Sequence, residues 1–150
     1  MSEYHAAVGL AALDGWVADR SLFQRVAVAY RSGLAGDGLA QLQHGYGVGW
    51  IAATCNVRFR GARADRVAGV LAREGIDSRR WWGDGLHGQP AFAAFRRGDL
   101  RATDLLAQET LGLPCFPDLS DAEVRRICRT IADAFGTTGM EPRRFESAAS

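Results

Sequence analysis

The sequence predicts an α+β fold: a small, mainly antiparallel sheet flanked by helices and preceded by a long N-terminal helix. Three observations point there. Residues 2–34 repeat apolar positions at helical spacing, and residues 46–59 concentrate β-branched and aromatic side chains. Ser120-Asp121-Ala122-Glu123 then opens a second periodic helix with a capping-box pattern. Only short helices separate the strand candidates, which favours hairpin pairing over a doubly wound parallel sheet. With 150 residues, 47% of them hydrophobic, one domain is expected over 1–136, followed by a flexible tail over 137–150.

Taken in order, Tyr4, Val8, Ala11 and Ala12 share one face of the first helix, and Leu22, Val26, Ala29 and Tyr30 continue it. Gly15 and the Asp19-Arg20-Ser21 step are candidate kinks, and Ser21 with Gln24 is a candidate cap for a second helix. Glycines between Gly33 and Gly47 mark a loop. Tyr46 to Phe59 reads as one long or two short strands. Ala62 to Glu74 returns to helical period through Val67, Val70 and Leu71, with Gly75 placed as a left-handed cap. Ile76 to Trp82 is a short strand candidate, and 83–90 a loop. Thr103 is placed to cap a helix reaching Leu111, before a strand from Leu113 to Phe116 that Pro117 stops. The last helix buries Val124, Ile127, Ile131 and Phe135 and stops at Gly136.

The net charge is +1, so no global field draws the chain to nucleic acid or to an anionic membrane. No apolar run approaches the roughly 20 residues that span a bilayer, and the N-terminus lacks a secretory pattern, so a cytoplasmic protein is expected. All 18 basic residues are arginine; there is no lysine. A guanidinium stays protonated and cannot replace an amine in imine formation. Cys55, Cys115 and Cys128 show no metal-ligand spacing, and Cys115 and Cys128 are expected as small core residues. Neither a Gly-x-Ser-x-Gly element nor a Gly-Lys-Ser/Thr phosphate loop occurs.

Four segments carry a resemblance. Met1-Ser2-Glu3-Tyr4-His5-Ala6-Ala7-Val8-Gly9-Leu10 resembles the Met-Ser/Thr-Glu-x-x-Ala-Ala-x-Gly-Leu helix start of the DegT/DnrJ/EryC1/StrS sugar aminotransferases. Gly75-Ile76-Asp77-Ser78-Arg79 is similar to their Gly-Ile-x-x-Arg strand, and Leu86-His87-Gly88-Gln89-Pro90-Ala91-Phe92 to their Leu-His-x-Gln-Pro-Ala-Tyr loop. Leu111-Gly112-Leu113-Pro114, followed by Pro117-Asp118-Leu119-Ser120-Asp121, resembles their closing segment. The resemblance covers about residues 1–134. It implies the small domain of a fold-type I enzyme that transfers an amino group to a nucleotide-linked keto sugar, usually from glutamate.

It also implies pyridoxal phosphate (PLP) for the completed enzyme, bound mostly by a large domain that supplies the lysine. This chain by itself is expected to bind no cofactor and to be inactive. The expected partners are that lysine-bearing large domain or a second copy of the chain, with no nucleic acid and no membrane. Expected substrate contacts are His87, Trp81, Trp82 and Arg80, with no catalytic or metal site. His87 sits in a polar loop, where it could hydrogen-bond substrate or be satisfied by backbone or water. Trp81 and Trp82 alternate, so one is expected in the core and the other toward a cleft or partner. Arg79 and Arg80 could meet a diphosphate or form a solvated strand end. The other functional reading is a catalytically silent binding protein that kept this domain.

Overall fold

A computed structural model describes residues 2–36, 38, 40–61, 64–81 and 83–135. Trp82, Gly136 and the expected tail lie outside the described residues. The first helix, α1, spans Glu3–Gly33. Its N-cap is Ser2, whose hydroxyl accepts from the His5 backbone N–H. At about 1.5 Å per residue it is roughly 46 Å long. The helix is not divided at Gly15 or at the Asp19-Arg20-Ser21 step. Ser21 instead donates back to the Val17 carbonyl within the same helix, and Gln24 reaches out to the Gly47 carbonyl at 2.6 Å. Neither is left to cap a second helix.

Three strands follow: β1 (Ala40–Leu42), β2 (Cys55–Phe59) and β3 (Thr110–Leu113). They form one antiparallel sheet in the order β1-β2-β3. β1 falls where glycine spacing predicts only loop, because a three-residue strand carries too little pattern and its partner β2 supplies the order. The strand expected over 46–59 is confined to Cys55–Phe59. Gly47 takes a positive φ of 66° and turns the preceding segment, leaving an isolated bridge between Tyr46 and Trp50.

Helix α2 covers Ala64–Arg73, with Asp65 in its first turn and Arg73 in its last, as the helix dipole favours. The strand expected over 76–82 shrinks to one bridge, in which Arg79 and Gly112 exchange backbone hydrogen bonds of 2.9 and 2.8 Å. β3 runs only to Leu113, and Pro114 has no N–H to extend a ladder there. The expected 83–90 loop carries two short 3-10 turns, Leu86–Gly88 and Pro90–Phe92.

Helix α3 is Arg101–Glu109, so Thr103 lies inside it and caps nothing. Asp99 meets its first turn instead, accepting from the Arg101 backbone N–H at 3.0 Å. The last strand begins at Thr110, three residues before its expected start, because Leu111 and Gly112 pair with Val57 and Asn56. Cys115 therefore lies past the strand. Helix α4, Asp121–Ala134, opens with the expected capping box between Ser120 and Glu123.

The sheet has two chemically different faces. Cys55, Val57 and Phe59 alternate inward with Leu111 and Leu113. Against them pack Val26 and Tyr30 of α1, Val67 and Leu71 of α2, and Val124, Ile127 and Ile131 of α4. Tyr30 keeps its hydroxyl satisfied by donating to the Pro114 carbonyl at 2.8 Å. Only the C-terminal third of α1 enters this core; Tyr4, Leu13 and Val17 are 74%, 67% and 79% exposed.

Candidate functional site

The opposite face of the sheet is polar. Gln41, Asn56, Arg58 and Thr110 point away from the core, and α3 crosses above them. Between strands and helix lies a cleft of about 510 Å³, lined on its apolar side by Leu42, Leu106 and Ala107. That volume falls in the range of about 300–1,000 Å³ common for small-molecule sites. Glu109, 3% exposed, anchors one end of it. Its carboxylate accepts from Arg58 Nε at 2.6 Å and from the Gly61 backbone N–H at 2.6 Å. The ion pair ties the end of α3 to β2 and offsets the guanidinium charge in the cleft.

The 86–92 turns close a neighbouring edge. His87 Nε2 lies 2.6 Å from Asp104 Oδ1 on α3, and Arg97 donates to the His87 carbonyl at 3.1 Å. Gly85 lines the cleft with φ at 80°, and a Cβ there would come within 2.8 Å of the His87 ring. A side chain at 85 would thus displace the imidazole as well as strain the backbone.

Of the residues expected to touch substrate, Arg80 is turned into the protein, where it pairs with Asp65 and donates to the Ala107 carbonyl. Trp81 lies over Gly112 on the polar face of the sheet, with the Arg79 guanidinium 4.5 Å above its ring and 46% of its surface open. Trp82 lies outside the described residues. His87 and Arg80 are both linked to α3, whereas Trp81 fronts a second groove beside Phe116 and Pro114. Gln41, Asn56, Arg58 and Thr110 are not among the residues expected from sequence. The signal for Asn56 and Arg58 is the strict alternation of Cys55-Asn56-Val57-Arg58-Phe59, which sets a polar face opposite an apolar one; Gln41 and Thr110 join that face only through strand pairing.

Among the described residues no group of His, Cys, Asp or Glu is arranged to hold a metal ion. No described helix is long and apolar enough to cross a membrane. PLP chemistry of the kind implied by the resemblance needs a side-chain amine, and this sequence contains none, so these residues do not fit that role.

A profile of the DegT/DnrJ/EryC1/StrS aminotransferase family matches residues 1–132. The "Pleiotropic regulatory protein" of Geobacillus stearothermophilus is 30% identical over 78 residues, covering 51% of this chain and 21% of that protein. DesI, crystallised in the presence of its TDP-sugar product, superposes with a TM-score of 0.76 at 26% identity, over 91% of this chain and 37% of DesI. A Bacillus cereus ATCC 10987 protein assigned as a PLP-dependent aminotransferase superposes with a TM-score of 0.79 at 26% identity, over 88% of this chain and 37% of that one. The chain thus spans well under half the length of the relatives it matches. Its long helix, three-stranded antiparallel sheet and flanking helices are the small-domain architecture of fold-type I aminotransferases. The chain belongs to the DegT/DnrJ/EryC1/StrS aminotransferase family.

Proposed function

We propose that this chain is the small-domain part, or a split subunit, of a PLP-dependent enzyme that transfers an amino group to a nucleotide-linked keto sugar. A lysine-bearing large domain supplies the reacting amine. The observation that carries this reading is the bare N-terminal portion of α1. Tyr4, Val8, Leu10, Leu13 and Val17 are each more than half exposed, on a helix whose other end is built into the core. An apolar helix surface of this extent implies a covering partner. In this reading the chain shapes the sugar-nucleotide side of the site and contributes no reacting amine. Trp81 offers a ring for stacking, with Trp82 beside it in sequence. His87 and Arg80 act as positioning residues, holding the loop and α3 in place.

A second reading, a catalytically silent binding protein, is favoured by the absence of lysine from the sequence. One experiment separates the two. The chain is mixed with a lysine-bearing large domain of the family, PLP, glutamate and a TDP-linked keto sugar. Sugar amination is followed together with hydrogen exchange across residues 3–20. The expected result is no turnover by the chain alone, then turnover and protection of α1 on mixing. Turnover by the chain alone overturns the proposal. So does a stable complex, protected over α1, that never aminates the sugar; that outcome establishes the silent binding protein.

A further inference from the structure

The two flanks of the sheet differ. On the β3 side, Gly112 exchanges backbone hydrogen bonds with Arg79, so that edge is already paired. Because the Gly112 groups point outward, those of its register partner Asn56 point the other way, toward β1, as do those of Arg58 two residues on. Arg58 faces Gln41, which leaves the N–H and C=O groups of Ala40 and Leu42 on the outer flank of β1. No described residue pairs with them there. An unpaired strand edge is a template for another chain, and folds ordinarily cover it.

Beside that flank lies a groove of about 260 Å³, lined by Leu34, Ala40, Leu42, Tyr46 and Val48. Leu34 and Tyr46 belong to the core, and Ala40 and Leu42 pack against it, so the groove opens on the apolar side of the sheet. Phe135, the last described residue, lies close by. α1 and α4 run side by side in the same direction, with Arg25 against Asp121 and Gly33 against Cys128, so α4 continues past the end of α1. There the Phe135 ring is 6.0 Å from that of Phe59, whose strand partner is Ala40. A strand added to the open flank of β1 would lie two strand spacings, roughly 10 Å, from β2. At about 3.3 Å per residue, the stretch from Gly136 to Pro142 can span roughly 23 Å.

We propose that residues 143–147 of the chain's own C-terminal segment add to β1 as a fourth strand, with Phe145 in the groove. The residue pattern fits both faces. Arg144 and Glu146 flank Phe145, so one apolar side chain turns to the helix side while two polar ones stand with Gln41 on the polar face. Pro142 has no N–H to leave unpaired and precedes the strand. The added strand satisfies the outward backbone groups of Ala40 and Leu42. It also removes the edge on which a second copy of the chain could pair.

Amide hydrogen exchange, read residue by residue by NMR, tests this on the full chain and needs neither PLP nor a large domain. Ala40 and Leu42 should exchange roughly tenfold more slowly, or slower still, in the full chain than in a variant ending at Gly136, while Val57 at the sheet centre is unchanged. Phe145→Asp keeps the full length and should lose the same protection, because a carboxylate is costly to bury in an apolar groove. A peptide of residues 137–150 added to the shortened chain should restore it. Equal rates at Ala40 and Leu42 in the full and shortened chains overturn the inference, as does full protection in Phe145→Asp. Protection that rises with protein concentration in both forms also overturns it, since a second copy then covers the edge.

Discussion

Arg25, on α1, donates from Nη1 to Oδ1 of Asp121, the first residue of α4, at 2.7 Å. Its other terminal nitrogen reaches the Pro117 and Leu119 carbonyls, each at 3.1 Å. One guanidinium thus fastens the long helix to the loop that launches the last one. Because both side chains are about 40% exposed (38% and 42%), the ion pair itself is partly screened by water. The carbonyl contacts carry the rest. Arg25→Ala should lower the unfolding free energy by about 1–2 kcal/mol, and Arg25→Lys by nearly as much, since an ammonium cannot fork to three acceptors. Urea denaturation checks this; a change below about 0.5 kcal/mol in the alanine variant would show the contacts to be incidental.

Gly112 is required by its neighbour across the sheet face. A Cβ at 112 would lie 2.7 Å from Trp81 Cδ1 and 3.2 Å from the Arg79 carbonyl oxygen. Gly112→Ala should therefore displace the indole and loosen the Arg79 bridge, at a cost of about 1–3 kcal/mol. The Trp81→Ala, Gly112→Ala double variant should recover part of that loss. Chemical denaturation of the four proteins in this cycle gives the coupling, and strictly additive effects would contradict the steric account.

The capping box of α4 makes stability depend on acid. The Ser120 hydroxyl, and then the Ser120 backbone N–H, hold the Glu123 carboxyl below its usual range. A depressed folded value means the contribution is complete above the unfolded pKa of about 4.3 and disappears as pH falls through the folded one. Ser120→Ala should cost about 1 kcal/mol at neutral pH through loss of the N-cap. The gap between wild type and variant should narrow as pH drops below the carboxylate range. Thermal melts from neutral to acidic pH test the sign, and a gap that widens in acid would exclude it.

Burial holds the three thiols in their protonated form. Desolvation pushes the Cys128 thiol up to about 12, and it raises Cys55 and Cys115 in the same direction. Cys115 is the more accessible one, donating to the Ala52 carbonyl at 3.7 Å at the rim of the core. Ellman's reagent at neutral pH should find Cys55 and Cys128 unreactive in the native protein and Cys115 slow, with all three reacting once the chain is denatured. Rapid native labelling of Cys55 would mean that the β2 core opens far more readily than its packing implies.

Local signals in the sequence determined a good part of this molecule. The Ser120–Glu123 box, the helical period of Val124, Ile127 and Ile131, the turn at Gly75 and the family segments are each complete within a few residues, so they survive without tertiary context. The tertiary structure decided what depends on partners far along the chain. β1 exists because β2 pairs with it, and the expected strand at Arg79 is limited to one bridge by Pro114. Ser21 and Gln24 sit inside a single unbroken helix, Ser21 bonded back to the Val17 carbonyl and Gln24 reaching out to that of Gly47. His87 is tied to Asp104, and Arg80 to Asp65, by contacts that no local spacing encodes. The polar row of Asn56 and Arg58 is written plainly in the strand's alternation. It becomes a cleft only when α3, some fifty residues later, folds back over that face and places Glu109 against Arg58.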